Sequence, residues 1–189
     1  MSKSSHVASG AKTREETVSR GAPYVVPTKL RPPNVRSGLL QRPDLVERLR
    51  GGRERTLTLV CAPAGYGKTT LLAQWAAADA ERTAFAWVSL DAGDNDPVVV
   101  MTHIAVALDR IEPLGRPVFA ALSSQGASAI STVLSRLSAA LSAMSRPVML
   151  LFDDLHVLNE QVCLDVVAEI AGRLPPGSQL AVTSRVVPD

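Results

Sequence analysis

The sequence predicts an α/β domain, a parallel sheet with helices on both faces, and three observations predict it. Four short apolar runs, at Thr56–Cys61, Ala84–Leu90, Val148–Phe152 and Gln179–Thr183, alternate with segments of helical periodicity. The third run is apolar at every position, as a strand covered on both faces requires. Aromatic residues make up only 4% of the 189 residues while hydrophobic residues reach 46%, so Val, Leu, Ile and Ala must build the core between the layers.

The elements follow in order. Residues 1–22 are rich in Ser, Lys and Glu without periodicity and are expected to form a disordered tail, leaving 23–189 as the folded domain. A basic stretch from Lys29 to Arg55, interleaved with Asp44, Glu47 and Glu54, reads as solvated surface. Pro43 just after Arg42 marks the start of a short helix that Gly51-Gly52 ends. The first strand stops at a Pro/Gly loop, and Thr69–Ala80 beyond it is rich in helix formers. An acidic turn, Asp91–Pro97, follows the second strand. Helices are then expected at about 98–110 and 128–144, the latter with a stripe at Ile130, Val133, Leu134, Leu137, Leu141 and Met144. Val162, Val166, Val167, Ile170 and Leu174 mark a further helix before the fourth strand, which runs into Ser184-Arg185. Trp75 and Trp87 fall on these patterns as packing residues.

Charge and cysteine usage narrow the functions. The net charge of +2 lies within residues 1–20, where Lys3, Lys12, Arg14 and Arg20 face Glu15 and Glu16, so nothing predicts nucleic-acid binding by the folded part. Cys61 and Cys163 have no partner motif, which argues against a metal cluster or a disulfide framework and for reduced thiols in a cytoplasm. The apolar stretch near Val98–Leu108 is interrupted by Thr102 and His103 and is too short to span a bilayer.

The chemistry lies in two signatures. Ala62-Pro63-Ala64-Gly65-Tyr66-Gly67-Lys68-Thr69 follows a strand and opens a helix, the setting in which backbone N–H groups cradle a polyphosphate. Gly65 and Gly67 permit the close approach, Lys68 supplies charge to the β- and γ-phosphates, and the Thr69 hydroxyl, with Thr70 beside it, can reach Mg²⁺. Ala62 stands where this P-loop motif has Gly, a departure that matters only if that residue needs a positive φ. The second signature is the apolar strand ending in Asp153-Asp154. Carboxylates at the end of a buried strand need a partner, and Mg²⁺ would supply one for Asp153, while Asp154 would orient or deprotonate the water that attacks the γ-phosphate. A helix N-cap or turn former is the alternative for Asp154. Arg185, just past the fourth strand, lies at the sheet edge where open α/β folds bind ligands and reads as a γ-phosphate sensor or else a surface arginine. His156 is near, without a signal that makes it a ligand. Together these residues predict a P-loop NTPase that binds ATP with Mg²⁺.

Longer stretches carry a resemblance. Thr28-Lys29-Leu30 with Pro32-Pro33, Leu40–Leu49, APAGYGKTTLLAQW at Ala62–Trp75, WVSLDAGDND at Trp87–Asp96, LLFDDLHVL, and LPPGSQLAVTSRVVPD span about residues 26–189. In this order they resemble the N-terminal NTPase domain of MalT-like regulators, the large ATP-dependent members of the LuxR family within the STAND class. Tyr66, Gln74 and Trp75 are more specific to that family than the P-loop itself. The resemblance implies a switch whose ATP- and ADP-bound states differ, which slow hydrolysis resets. It also implies that Arg185 is the sensor arginine and that Arg42 lies near the base and ribose. Such proteins continue into a fifth strand, a winged-helix element, a helical-repeat region and a DNA-binding helix-turn-helix. The chain to Asp189 is therefore expected to carry the ATP-binding part, without DNA contact of its own. Other P-loop machines, metabolic kinases and a nucleotide-binding interaction module without hydrolysis remain as alternatives. With strand order 5-1-4-3-2 the edge of the first strand would lie open, which predicts self-association or marginal stability.

Overall fold

The computed structural model describes residues 25–34, 38–52, 54–124 and 129–187. The predicted tail, residues 1–22, lies outside them. Strands β1 (Leu57–Cys61), β2 (Ala84–Ser89), β3 (Val148–Asp153) and β4 (Gln179–Ser184) form one parallel sheet in the order β1-β4-β3-β2. Helices α1 (Pro43–Gly51) and α2 (Lys68–Ala78) cover one face. On the other lie α3 (Pro97–Asp109), α4 (Arg116–Leu122), α5 (Ala129–Ser142) and α6 (Gln161–Arg173). The architecture is the expected α/β one.

Strand alternation divides the core. Ala86, Val88, Leu150, Phe152, Leu180 and Val182 point into the α3–α6 side, whereas Trp87, Met149, Leu151 and Ala181 point to α1 and α2. All six residues of β3 are buried, which is why that run carries no polar residue before Asp153. By the same alternation Asp153, two residues after Leu151, faces α2. Trp75 and Trp87 are core residues, as expected. Cys61 and Cys163 are free thiols.

Several boundaries differ from expectation. Helix α2 starts at Lys68, so the lysine is itself in the first turn, and it ends at Ala78. Strand β3 includes Asp153, and β4 extends to Ser184. Helix α4 has no counterpart in the sequence reading: its seven residues are too few to display a period, and Pro117 in its first turn was the only signal. The acidic turn contains a short 3-10 turn, Ala92–Asp94, closed by a reciprocal capping box between Asp91 and Asp94.

Lys29 corrects the reading of the basic stretch as solvated surface. It lies in a 3-10 turn, Pro27–Leu30, that packs against β2 and seats Leu30 in the core. Its Nζ is 2.7 Å from Asp91 Oδ2 and 2.7 Å from Asp94 Oδ2, and the Asp94 side chain is only 3% exposed. Burial pulls the ammonium pKa down, but the bonds to both carboxylates outweigh it and leave Lys29 raised. The hydrogen bond from Lys29, with one from Gly93 N–H, holds the Asp91 carboxyl below its ordinary range. A second bond straps the same segment down: Arg110 donates to the Leu30 carbonyl at 2.7 Å. Arg50, also in the stretch read as solvated, donates from Nε to the buried Asp79 at 2.9 Å, and the Trp75 indole donates to the same carboxylate, fastening α1 to α2.

Lys29→Ala leaves the Asp94 carboxylate buried beside only uncharged donors, and is expected to lower stability by about 2 kcal/mol or more in urea unfolding. Because the Asp91 pKa is depressed on folding, its contribution is present at neutral pH and is lost as pH falls through that depressed value. An unchanged urea midpoint in the alanine variant would rule out this strap.

Candidate nucleotide site

The loop between β1 and α2 is shaped by two glycines. Gly65 and Gly67 have φ of 82° and 79°, the left-handed region that a side chain disfavours, and Gly67 is the N-cap residue of α2. No side chain caps α2, so its first N–H groups face the loop's hollow with the positive end of the helix dipole behind them. Ala62 does not have a positive φ, so its replacement of Gly leaves the backbone unstrained. Tyr66 between the two glycines is 63% exposed. Lys68, 8% exposed, is folded back over the loop and donates to the carbonyls of Ala62 at 2.9 Å and Pro63 at 3.2 Å.

Topology brings the second signature to this loop. Strands β1 and β3 flank β4, and all three end beside the start of α2. Thr69 Oγ1 donates to Asp153 Oδ1 at 2.9 Å across 84 residues of sequence, and Thr183 Oγ1 donates to the same oxygen at 2.7 Å. Asp153 is 5% exposed, and burial raises its pKa; the two hydroxyl bonds oppose that rise, and the neighbouring Asp154 charge adds to it. Mg²⁺ prefers few protein oxygens with waters and phosphates completing its shell, and the Thr69 hydroxyl beside this ill-solvated carboxylate fits that donor set. No cluster of three or more His, Cys, Asp or Glu exists among the described residues, which leaves no all-protein cage to compete.

Asp154 has φ 63° and ψ 45°, the left-handed conformation, and is the one non-glycine residue there among the described residues. Such a pose costs on the order of 1 kcal/mol and persists only where neighbours enforce it. Asp154 precedes the 3-10 turn Leu155–Val157, yet its side chain caps nothing and is 36% exposed. The strain turns the chain so that the second carboxyl leaves the strand line and stands at the rim.

His156 is the residue that sequence reasoning passed over. Its Nδ1 lies 3.7 Å from Asp154 Oδ1 and is buried without a hydrogen-bond partner in the structure. Burial lowers its pKa; Asp154 opposes that, while the charges of Arg185 and Lys68 reinforce it. Asp154 is thus the charged side chain that stands beside the imidazole. The available signal was its place two residues beyond Asp154. The loop that follows is fixed from the other side: Asn95 Oδ1 accepts from Asn159 N–H and Glu160 N–H, both at 3.1 Å.

Arg42 is the N-cap residue of α1. Its backbone N–H donates to Gln74 Oε1 at 3.2 Å, and Gln74 Nε2 donates to the Leu40 carbonyl at 2.9 Å. Gln74, 6% exposed on α2, therefore holds the segment before α1 above the helix that opens at the loop.

The strand, glycine-shaped loop, uncapped helix and, one strand away, the carboxylate-ended strand define a P-loop NTPase fold. No family model matches the chain. It is 31% identical over 166 residues to the HTH-type transcriptional regulator MalT of Cronobacter sakazakii, and 30% identical over 167 residues to that of Klebsiella pneumoniae, each time over 87% of this chain. The chain is a MalT-like P-loop domain, and it spans 18% of the length of those relatives. Among solved structures, Cdc6p from Pyrobaculum aerophilum matches 86% of the chain, and 43% of its own length, with a TM-score of 0.54 at 16% identity, a likeness of fold alone. No described helix is long and apolar enough to cross a membrane.

Proposed function

We propose that the chain is the ATP-binding and slowly hydrolysing switch domain of a MalT-like transcriptional regulator. The observation that carries this reading is the bond between Thr69 and Asp153, which unites the phosphate loop with the acidic strand end at one point. Incoming phosphate oxygens replace the Ala62 and Pro63 carbonyls as acceptors for Lys68, while the loop N–H groups of residues 64–70 turn to the β- and γ-phosphates. Thr69 and Asp153 would hold Mg²⁺, which would supply neutralisation of the phosphate charge. Asp154 orients the attacking water and takes its proton, with His156 beside it to steady the carboxylate. Arg185 contacts the γ-phosphate and so distinguishes ATP from ADP. Arg42, in the segment before α1, lies toward base and ribose. A cytoplasmic location suits such a domain, and DNA would be reached through another part of a full-length regulator.

A metabolic kinase is the weaker reading, since no set of phosphate-clamping arginines other than Arg185 gathers at this rim among the described residues. Leu57 and Leu59, 52% and 36% exposed on the outer edge of β1, also support self-association through that edge.

Lys68→Ala is expected to weaken ATP binding by at least about 100-fold, as removal of a point charge from a multiply charged ligand implies; wild-type affinity in calorimetry would overturn the phosphate assignment. For Asp154→Asn the expectation is intact ATP binding with hydrolysis lowered by at least about tenfold, read as phosphate release under saturating ATP. Arg185→Ala should narrow the ratio of ATP to ADP affinity, and an unchanged ratio would remove its sensor role. Sedimentation of the chain over a wide concentration range should reveal association that Leu59→Lys on the β1 edge abolishes; a monomer throughout would sink that part of the reading.

A further inference from the structure

The Thr183 hydroxyl is fully buried and has one hydrogen and two lone pairs to place. It donates to Asp153 Oδ1 at 2.7 Å and accepts from Asp154 N–H at 2.8 Å. Two functional carboxylates of opposite tasks thus hang from one oxygen, the first through its side chain and the second through its backbone. Strand register explains the meeting: Phe152 pairs with Val182, so the next residues of β3 and β4 turn together toward the α2 face.

The acceptor half of this arrangement concerns the strain at Asp154. Where a non-glycine residue holds φ 63°, an unpaired buried N–H would free it to relax into an ordinary turn, and the bond to Thr183 removes that option. The donor half concerns Asp153, whose Oδ1 is shared by the hydroxyls of Thr69 and Thr183. When Thr69 turns to a cation, Thr183 remains to keep the carboxylate in place. β-Branching suits the task, because a threonine in a strand holds χ1 and its oxygen direction more firmly than serine would.

We propose that Thr183 is the positioning residue of the site, setting the direction of both carboxylates without touching nucleotide. This rests on the hydrolytic reading above. It also goes beyond that reading, since β4 acquires a role besides leading to Arg185.

The test compares Thr183→Val, which keeps shape and removes both bonds, with Thr183→Ser, which keeps both. In the whole chain with Mg²⁺ and ATP, the valine variant is expected to lose about 10–100-fold in kcat with KM within about threefold, as supporting partners of a metal and its ligands do. The serine variant should stay within about threefold of wild type. A second reading needs no turnover: without nucleotide, the Asp154 amide, followed by ¹⁵N-resolved hydrogen exchange, should exchange at least about tenfold faster in the valine variant and at the wild-type rate in the serine one. Unchanged kcat in valine, or a serine variant as slow as valine, overturns the proposal. If the wild-type chain proves not to hydrolyse ATP, the hydrolytic reading fails on its own; equal Asp154 exchange in wild type and valine then overturns the positioning role as well.

Discussion

A carboxylate buried at the end of a buried strand constrains everything around it. Asp153 closes a β3 whose six residues are all inaccessible, and its ionised form is stable only with donors at hand. Those donors come from the two elements that sheet order makes its neighbours, Thr69 on α2 and Thr183 on β4. Moving β4 away from β3, or α2 by one turn, would leave the carboxylate without them. The order β1-β4-β3-β2 sets β4 between the strand that leads into the glycine loop and the strand that ends in Asp153, so that Thr183 reaches Asp153.

Around that point three residues adopt the left-handed conformation. Gly65, Gly67 and Asp154, with φ of 82°, 79° and 63°, lie on the loops at the carboxyl ends of β1 and β3. At the glycines this conformation exposes backbone N–H groups; at the aspartate it brings a carboxylate out of the strand line. His156 Nδ1 lies 3.7 Å from Asp154 Oδ1, and burial lowers the imidazole pKa while the Asp154 charge opposes that.

The outer structure braces these loops. Lys29 ties an N-terminal turn to the acidic turn after β2, and Asn95 in that turn accepts from the backbone of Asn159 and Glu160 just beyond His156. Gln74 ties the Leu40–Arg42 segment to α2. Among the stretches that carry the resemblance, Lys29, the Asp91–Asp96 turn and Gln74 thus make long-range side-chain bonds that hold loops in place.

The sequence by itself determined the layered α/β class, the four strands and the loop Ala62–Thr69, because each rests on local information: apolar runs of strand length, glycines at a strand-to-helix turn and a strand that tolerates no polar residue before Asp153. It also located Asp154 and Arg185 by their places at strand ends. Only the tertiary structure decided which donors meet Asp153, that Asp154 is strained and does not cap, that Lys29 is an inward-facing ion-pair partner, and that Thr183 bonds to both aspartates while His156 stands beside Asp154. The physical reason is separation along the chain. Thr69 and Asp153 are 84 residues apart and Lys29 and Asp94 are 65 apart, and a hydroxyl or ammonium with so distant a partner has the same local pattern as one that faces water. Helix α4 escaped notice for a different reason, since seven residues carry too little periodicity to be told from a loop.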